Sequence, residues 1–166
     1  MRVLGVDPGT LYMGYGIVEE TGGNRICMVN CGVISAPQKM SIELRLCRMY
    51  DALVKLITEF KPDAVAIEEP FVANNARSAL AIGRAQAVAI LAAVQAGLHV
   101  ERYMPTEVKQ MVTSYGRSSK EQVQEVVKLQ LGITGLPEAT DAADALAVAI
   151  CHLNQKHMQE IIKRGY

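Results

Sequence analysis

The sequence contains no tryptophan, only two phenylalanines and no net charge over its 166 residues. With few large aromatics, the core has to be built from alanine, valine, leucine, isoleucine and methionine. Basic and acidic residues number 17 each, so total charge gives no sign of a nucleic-acid partner. Because half of the residues are apolar, a disordered chain is excluded, and the length fits one domain with a real core.

The sequence also lacks the patterns of a secreted or membrane-embedded protein. Its four cysteines, Cys27, Cys31, Cys47 and Cys151, form no Cys-x-x-Cys pair, which favours free buried thiols over disulfides or a zinc site. No apolar run is predicted to be long enough to span a bilayer, and the N-terminus lacks the pattern of a signal peptide. These absences predict a cytoplasmic protein with no membrane partner.

Hydrophobic periodicity and turn signals divide the chain into ten elements. The predicted strands cover residues 2–7, 14–20, 25–35, 64–68 and 99–104, and the predicted helices cover residues 42–60, 78–95, 105–113, 119–131 and 140–157. Three antiparallel strands therefore come first, followed by strands that alternate with helices. This order predicts an α/β fold with a mixed sheet flanked by helices.

The domain organisation follows from the same elements. The sequence shows no repeat or linker, so residues 1–158 are predicted to form one domain and residues 159–166 a frayed tail. Ser119 with Gln122 has the spacing of a capping box, and Thr140 is the predicted cap of the last helix. The helix over residues 78–95 is apolar almost all round, which makes another subunit a candidate partner for its second side.

Four acidic residues lie at the edges of predicted core elements. Asp7 ends the first strand, Glu68 ends the central strand, and Asp141 and Asp144 share one face at the start of the last helix. Each has a plainer interpretation, because Asp7 also opens a turn and the two helical acids also suit a helix N-terminus. In α/β sheets, however, active sites lie at the carboxyl ends of central strands, so we expect the four acids to converge.

Converging carboxylates need a cation between them. Like charges brought together raise one another's pKa, and hard oxygen ligands suit Mg²⁺ or Mn²⁺ better than zinc. Two such ions about 3.5–4 Å apart activate a water and stabilise the leaving oxygen in phosphodiester hydrolysis. Residues 71–136 contain seven basic against four acidic residues, a small excess of the sign that such a nuclease needs for DNA.

Several motifs together resemble the bacterial RuvC Holliday junction resolvases. They are GVDPGT at residues 5–10 with GYG at 14–16, AIEEPF at 66–71, VKQ at 108–110 and DAADALAVA at 141–149, in family order over nearly the whole chain. The resemblance implies an RNase H-like fold with a five-stranded sheet, and a homodimer. It also implies Mg²⁺-dependent paired incision of a four-way DNA junction in recombination and repair, with 5′-phosphate and 3′-hydroxyl ends. Mn²⁺ is an expected substitute, two ions per active site are expected, and a branch-migration motor complex is a candidate further partner.

The resemblance also implies roles for single residues. Asp7, Glu68, Asp141 and Asp144 match the catalytic, metal-binding acids. The matching DNA-binding positions are Phe71, which stacks on bases, Lys109 and Lys120 near the scissile phosphate, and Asn75, Arg77, Ser78 and Arg84 in a loop and helix start. On sequence alone, Phe71 also suits a core position and the two lysines suit solvated helix surfaces.

The chain departs from the family at Glu69 and Pro70, where glutamine and a small aliphatic residue are usual. Glu69 adds a fifth acid beside Glu68. In an extended strand adjacent side chains point to opposite faces, so only one of the two can face the cluster, and the register favours Glu68.

Two other functions are compatible with parts of the pattern. The Asp-x-Gly-Thr and Gly-x-Gly motifs also occur in actin-like ATP-binding phosphotransferase domains, although those folds need a second such lobe. A non-catalytic, structure-specific DNA-binding module is the other alternative. It would leave the four acids unexplained, because carboxylates repel phosphate unless a metal ion intervenes.

Overall fold

The computed structural model describes residues 1–23, 25–69 and 76–165, and this part of the chain contains all ten predicted elements. The strands are β1 (Arg2–Asp7), β2 (Tyr12–Thr21), β3 (Arg25–Ser35), β4 (Ala64–Glu68) and β5 (His99–Tyr103). The helices are α1 (Ile42–Phe60), α2 (Ala76–Gln95), α3 (Pro105–Thr113), α4 (Lys120–Leu131) and α5 (Thr140–Arg164).

The five strands form one mixed sheet in the order β3-β2-β1-β4-β5. The pairs β1–β2 and β2–β3 are antiparallel, and the pairs β1–β4 and β4–β5 are parallel. This arrangement confirms the predicted sheet of three antiparallel strands followed by parallel strands. It also brings the carboxyl ends of the two central strands, β1 and β4, to the same edge of the sheet.

Side chains of β1 and β4 alternate between two hydrophobic cores on opposite faces of the sheet. Val3 of β1 and Ala66 of β4 belong to the core that contains the apolar side of α5. Leu4 and Val65 belong to the other core, which contains the buried sides of α1 and α2. Because successive strand residues change face, the last residues of β1 and β4 lie on the face covered by α5.

Glycines of β1 and β2 let α5 approach the sheet closely. A Cβ atom added to Gly5 would lie 2.0 Å from the carbonyl oxygen of Ala145, and one added to Gly14 would lie 2.0 Å from that of Asp141. Neither distance leaves room for a side chain. The first turns of α5 therefore lie directly on the backbone of the sheet.

Two predicted features of α5 differ from the structure. Thr140 lies inside the helix, the N-cap position is Ala139, and no side chain caps the helix, so the predicted Thr140 cap is wrong. The helix was predicted to end near residue 157 but continues to Arg164, with Met158, Ile161 and Ile162 exposed on its last turns. Residues 159–164 are thus helical instead of frayed, and a domain boundary at residue 158 stays a prediction.

The predicted cap of α4 is confirmed, whereas the predicted burial of the cysteines is confirmed for Cys151 alone. The Ser119–Gln122 capping box at the start of α4 is confirmed, with both reciprocal hydrogen bonds present. All four cysteines are free, as predicted, but Cys151 alone is buried, while Cys47 of α1 is exposed.

Helix α2 is long and apolar enough, by length and composition, to cross a membrane, with a mean hydropathy of 1.4 over its best window. The prediction that no apolar run is long enough to span a bilayer is therefore wrong for α2. Arg84 interrupts the apolar residues of this helix, but the mean hydropathy of the helix stays high. One such helix is a weak indication, since core helices of proteins outside membranes meet the same criterion. In this fold the alanine face of α2 packs against the sheet and α1 through Ala85, Ala89, Ala92 and Ala93.

Candidate active site

The four predicted acids lie at one edge of the sheet, on the face covered by α5. Asp7 and Glu68 end the neighbouring parallel strands β1 and β4. Asp7 is also paired across the sheet with Gly14 of β2, the glycine on which the backbone of Asp141 rests. The first turns of α5 thus bring Asp141 and Asp144 to the strand ends that carry the other two acids.

The charges of these carboxylates act on one another. Burial, together with the charges of Asp144 and Asp141, raises the pKa of Asp7 to about 6. Burial, together with the charges of Asp7 and Asp144, raises the pKa of Glu68 to about 7. Such shifts arise where carboxylates crowd together away from bulk water. The carboxylates therefore lie near enough for their charges to affect one another.

Two lysines complete the site. Lys120, the first residue of α4, places its Nζ 2.6 Å from Oδ2 of Asp144. Lys109 of α3 lies close enough to counteract the charge on Glu68. Both lysines line a pocket of about 210 Å³ together with Glu68 and Asp144. A larger groove of about 720 Å³, between α1 and β3, contains none of the four acids.

Carboxylate oxygens are suitable ligands for a hard divalent cation, but the four acids do not surround a common point. Within residues 1–23, 25–69 and 76–165, no three His, Cys, Asp or Glu side chains are close enough to hold one ion as they stand. One of the four, Asp144, is instead paired with Lys120. The donor set consists of carboxylates, which are the ligands that Mg²⁺ and Mn²⁺ prefer. Binding of such an ion would offset the repulsion that raises the pKa values of Asp7 and Glu68.

Glu69 does not join the cluster. Its Oε1 accepts a hydrogen bond from Nη1 of Arg102 on β5 at a distance of 3.2 Å. As expected from strand alternation, Glu68 and Glu69 face different surroundings. The extra acid of this chain is thus neutralised by an arginine and adds no carboxylate to the four.

The remaining predicted DNA-binding residues are more scattered. Arg77 and Ser78 are exposed in the first turn of α2, just after β4 and the site. Arg84 is also exposed, but it lies near Glu43 of α1 and away from the acids. Phe71 and Asn75 lie outside the described residues.

Two features of the site were not predicted. One is the ion pair between Lys120 and Asp144, which joins residues 24 positions apart. The other is the role of Gly14 in seating α5. The alternate spacing of Gly14 and Gly16 within an apolar strand was a usable signal, because it marks close approach of another backbone on one face.

The raised pKa values predict how Mg²⁺ stabilisation depends on pH. A carboxyl whose pKa is higher in the folded than in the unfolded state binds extra protons when folded, so the metal-free protein loses stability as pH rises from about 4 to about 7. Mg²⁺ held by these acids would bind their deprotonated forms. The rise in melting temperature on adding Mg²⁺ should therefore grow between about pH 6 and pH 8.

Thermal unfolding with and without Mg²⁺ at each pH measures this effect, because the contributions of other titrating groups cancel in the difference. The matched control is Asp7→Asn, which removes one raised carboxyl and should flatten the dependence. A Mg²⁺ effect of equal size at pH 6 and pH 8 would contradict the prediction.

Comparison with known proteins identifies the family. The family model described as crossover junction endodeoxyribonuclease RuvC matches residues 3–152. The chain is 48% identical to the RuvC protein of Dehalococcoides mccartyi, over 99% of this chain and 98% of that protein. It is 47% identical to that of Geobacter metallireducens, over 98% of both.

The structure agrees with the sequence comparison. RuvC of Thermus thermophilus, solved in complex with a Holliday junction substrate, superposes with a TM-score of 0.91 at 31% identity, over 96% of each chain. This likeness confirms the RNase H-like fold. The sequence match, the fold and the shared order of motifs together show that this chain belongs to the crossover junction endodeoxyribonuclease RuvC family.

Proposed function

We propose that this chain is a structure-specific endonuclease that resolves four-way (Holliday) DNA junctions in recombination and repair. The observation that carries the proposal is membership of the RuvC family over residues 3–152, with the four acids gathered at one edge of the sheet. The related protein of Thermus thermophilus is bound to a junction substrate in its structure. A family of endodeoxyribonucleases supports phosphodiester hydrolysis as the reaction.

The acids Asp7, Glu68, Asp141 and Asp144 are the proposed ligands of Mg²⁺, two ions per site, with Mn²⁺ as a substitute. Bound there, such ions supply an activated water and charge stabilisation for the leaving oxygen, which yields 5′-phosphate and 3′-hydroxyl ends. The contribution of the chain is to present ionised carboxylates at a rigid sheet edge. Because the pKa values of Asp7 and Glu68 are raised to about 6 and about 7, protons compete with the ions for these two carboxylates near neutral pH.

Basic residues beside the acids bind the DNA backbone in this proposal. Lys109 and Lys120 both line the pocket that contains Glu68 and Asp144, so a phosphate held by the lysines lies next to the carboxylates. Arg77 and Ser78 are exposed at the start of α2, where they can contact the strand leaving the site.

Three further positions complete the proposed DNA contacts. Phe71 stacks on a base near the crossover, an interaction worth about 1–3 kcal/mol. Asn75 and Arg84 contact the DNA at the same loop and helix. The exposed side chain of Arg84 also lies near Glu43 of α1.

The proposed assembly is a homodimer, because a junction is resolved by cutting two strands. Helix α2 supports this with an exposed apolar stripe at helical spacing, formed by Leu80, Ala87, Leu91 and Val94. In the dimer this stripe faces a second copy of the chain instead of lipid, which agrees with a cytoplasmic protein. A branch-migration motor complex is a further proposed partner.

The direct test is incubation with a synthetic four-way junction and Mg²⁺, with the cut positions mapped on all strands. We expect paired cuts on two strands of like polarity, nicked products that ligase can seal, and no cutting when Mg²⁺ is replaced by EDTA. Duplex DNA of the same sequences is the control and should stay intact. Junction binding without cleavage would indicate a non-catalytic binding module, and ATP binding without cleavage would indicate a phosphotransferase-like domain.

A further inference from the structure

Lys120 carries the positive charge at the centre of the acid cluster. Its Nζ lies 2.6 Å from Oδ2 of Asp144. Its charge also interacts with those of Asp7, Asp141 and Glu68, so it interacts with all four acids. Lys109 lines the same pocket and its charge acts on Glu68, but it forms no ion pair with the described residues. The two lysines therefore differ in their relation to the site.

Lys120 lies at an unfavourable position for a cation in its own helix. As the first residue of α4, it lies at the positive end of the helix macrodipole, where a cation is unfavourable. The Ser119 capping box holds the start of α4 in place, so the lysine is brought to the acids by a defined turn. Its four-carbon stem allows the ammonium group to move without moving the helix.

We propose that Lys120 is a displaceable counter-ion, which occupies the cation position beside Asp144 when no metal is bound and moves to a DNA phosphate when metal takes its place. The inference rests on the proposed metal site and adds a sequence of events to it. A divalent ion held by Asp144 would repel the ammonium group that now lies 2.6 Å from Oδ2 of the same carboxylate. Metal binding therefore weakens the contact between Lys120 and Asp144.

The exchange couples metal binding to DNA binding. A lysine released from Asp144 is free to pair with a phosphate, so metal increases the affinity for DNA at this position. By thermodynamic reciprocity, DNA that binds Lys120 increases the affinity for metal by the same factor. In the absence of DNA, the protein with Lys120 should therefore bind metal less tightly than a variant that lacks the charge of this lysine.

The test is Mg²⁺ binding to the DNA-free full-length protein, measured by isothermal titration calorimetry at fixed pH and ionic strength. Lys120→Gln should bind Mg²⁺ roughly two- to fivefold more tightly than the wild type, the factor expected for loss of a partly exposed ion pair. Lys120→Arg keeps the charge and should stay close to the wild type. The matched control is Lys109→Gln, which removes a charge from the same pocket and should change the affinity less.

A second measurement needs no metal. In the absence of Mg²⁺ and at low salt, Lys120→Gln should unfold at a lower temperature than Lys109→Gln, because the four acids lose their shared counter-charge. Unchanged or weaker Mg²⁺ affinity of Lys120→Gln, with wild-type binding intact, would overturn the counter-ion role and leave the metal site standing. Absence of Mg²⁺ binding by the wild type, or binding unaffected by Asp144→Asn, would overturn the metal site itself and this inference with it.

Discussion

Asp7→Asn and Asp144→Asn are each expected to bind a four-way junction and fail to cut it. Both substitutions keep the shape of the side chain and remove a charge from the acid cluster at the strand ends. The proposed ions contribute several kcal/mol of transition-state stabilisation, so weakening their binding should lower the rate of incision by roughly 10³-fold or more. Binding should persist, because removing a negative charge lowers repulsion of phosphate.

Single-turnover cleavage of a labelled junction, alongside electrophoretic binding without metal, separates the two effects. The matched control is Asp51→Asn, which changes an exposed acid of α1 at the groove between α1 and β3. It should cut like the wild type. Incision by Asp7→Asn or Asp144→Asn at a near wild-type rate would remove that acid from the proposed metal-binding set.

Gly14→Ala is expected to impair both stability and cutting, although it adds a single methyl group. The new Cβ would lie 2.0 Å from the carbonyl oxygen and 3.0 Å from the Cβ of Asp141, so α5 has to move away from β2. Overpacking of this kind costs about 1–3 kcal/mol. Because the displaced turn also carries Asp144, the distance between the acids of the helix and Asp7 changes as well.

The comparison that isolates this effect is Gly22→Ala, in the turn between β2 and β3, where an added Cβ meets no atom within 4 Å. Denaturant unfolding and junction cleavage are measured for both variants. Gly22→Ala should match the wild type in both assays, whereas Gly14→Ala should lose stability and a larger share of its incision rate. Wild-type behaviour of Gly14→Ala would show that α5 tolerates a looser fit than its contacts indicate.

Much of the sheet edge could be predicted because strand alternation is a strict geometric rule. Knowing that residues 2–7 and 64–68 are buried strands is enough to place Asp7 and Glu68 at carboxyl ends, and to direct Glu69 away from Glu68. The same rule explains the common face of Gly5 and Asp7. Strand alternation thus separates the two glutamates, and Glu69 pairs with Arg102 on β5.

The contacts that join different elements could not be predicted in this way. Nothing in the periodicity of α4 indicates that Lys120 reaches Asp144, because that contact depends on how two helices pack. The start of α5 was misjudged for a related reason. A threonine before an apolar run suits a cap, but the close fit of α5 on the glycines of β2 leaves its first turns held by packing without a side-chain cap.

The seating of α5 on β1 and β2 has a consequence for synthesis of the protein. The acids of the cluster are far apart in the chain, at positions 7 and 68 and at positions 141 and 144, and the helix that carries the last two is synthesised after the nine other elements. A nascent chain that has emerged only as far as α4 holds two of the four carboxylates, and the glycine surface of its sheet is still uncovered. The acid cluster is therefore complete only when α5 docks on the sheet.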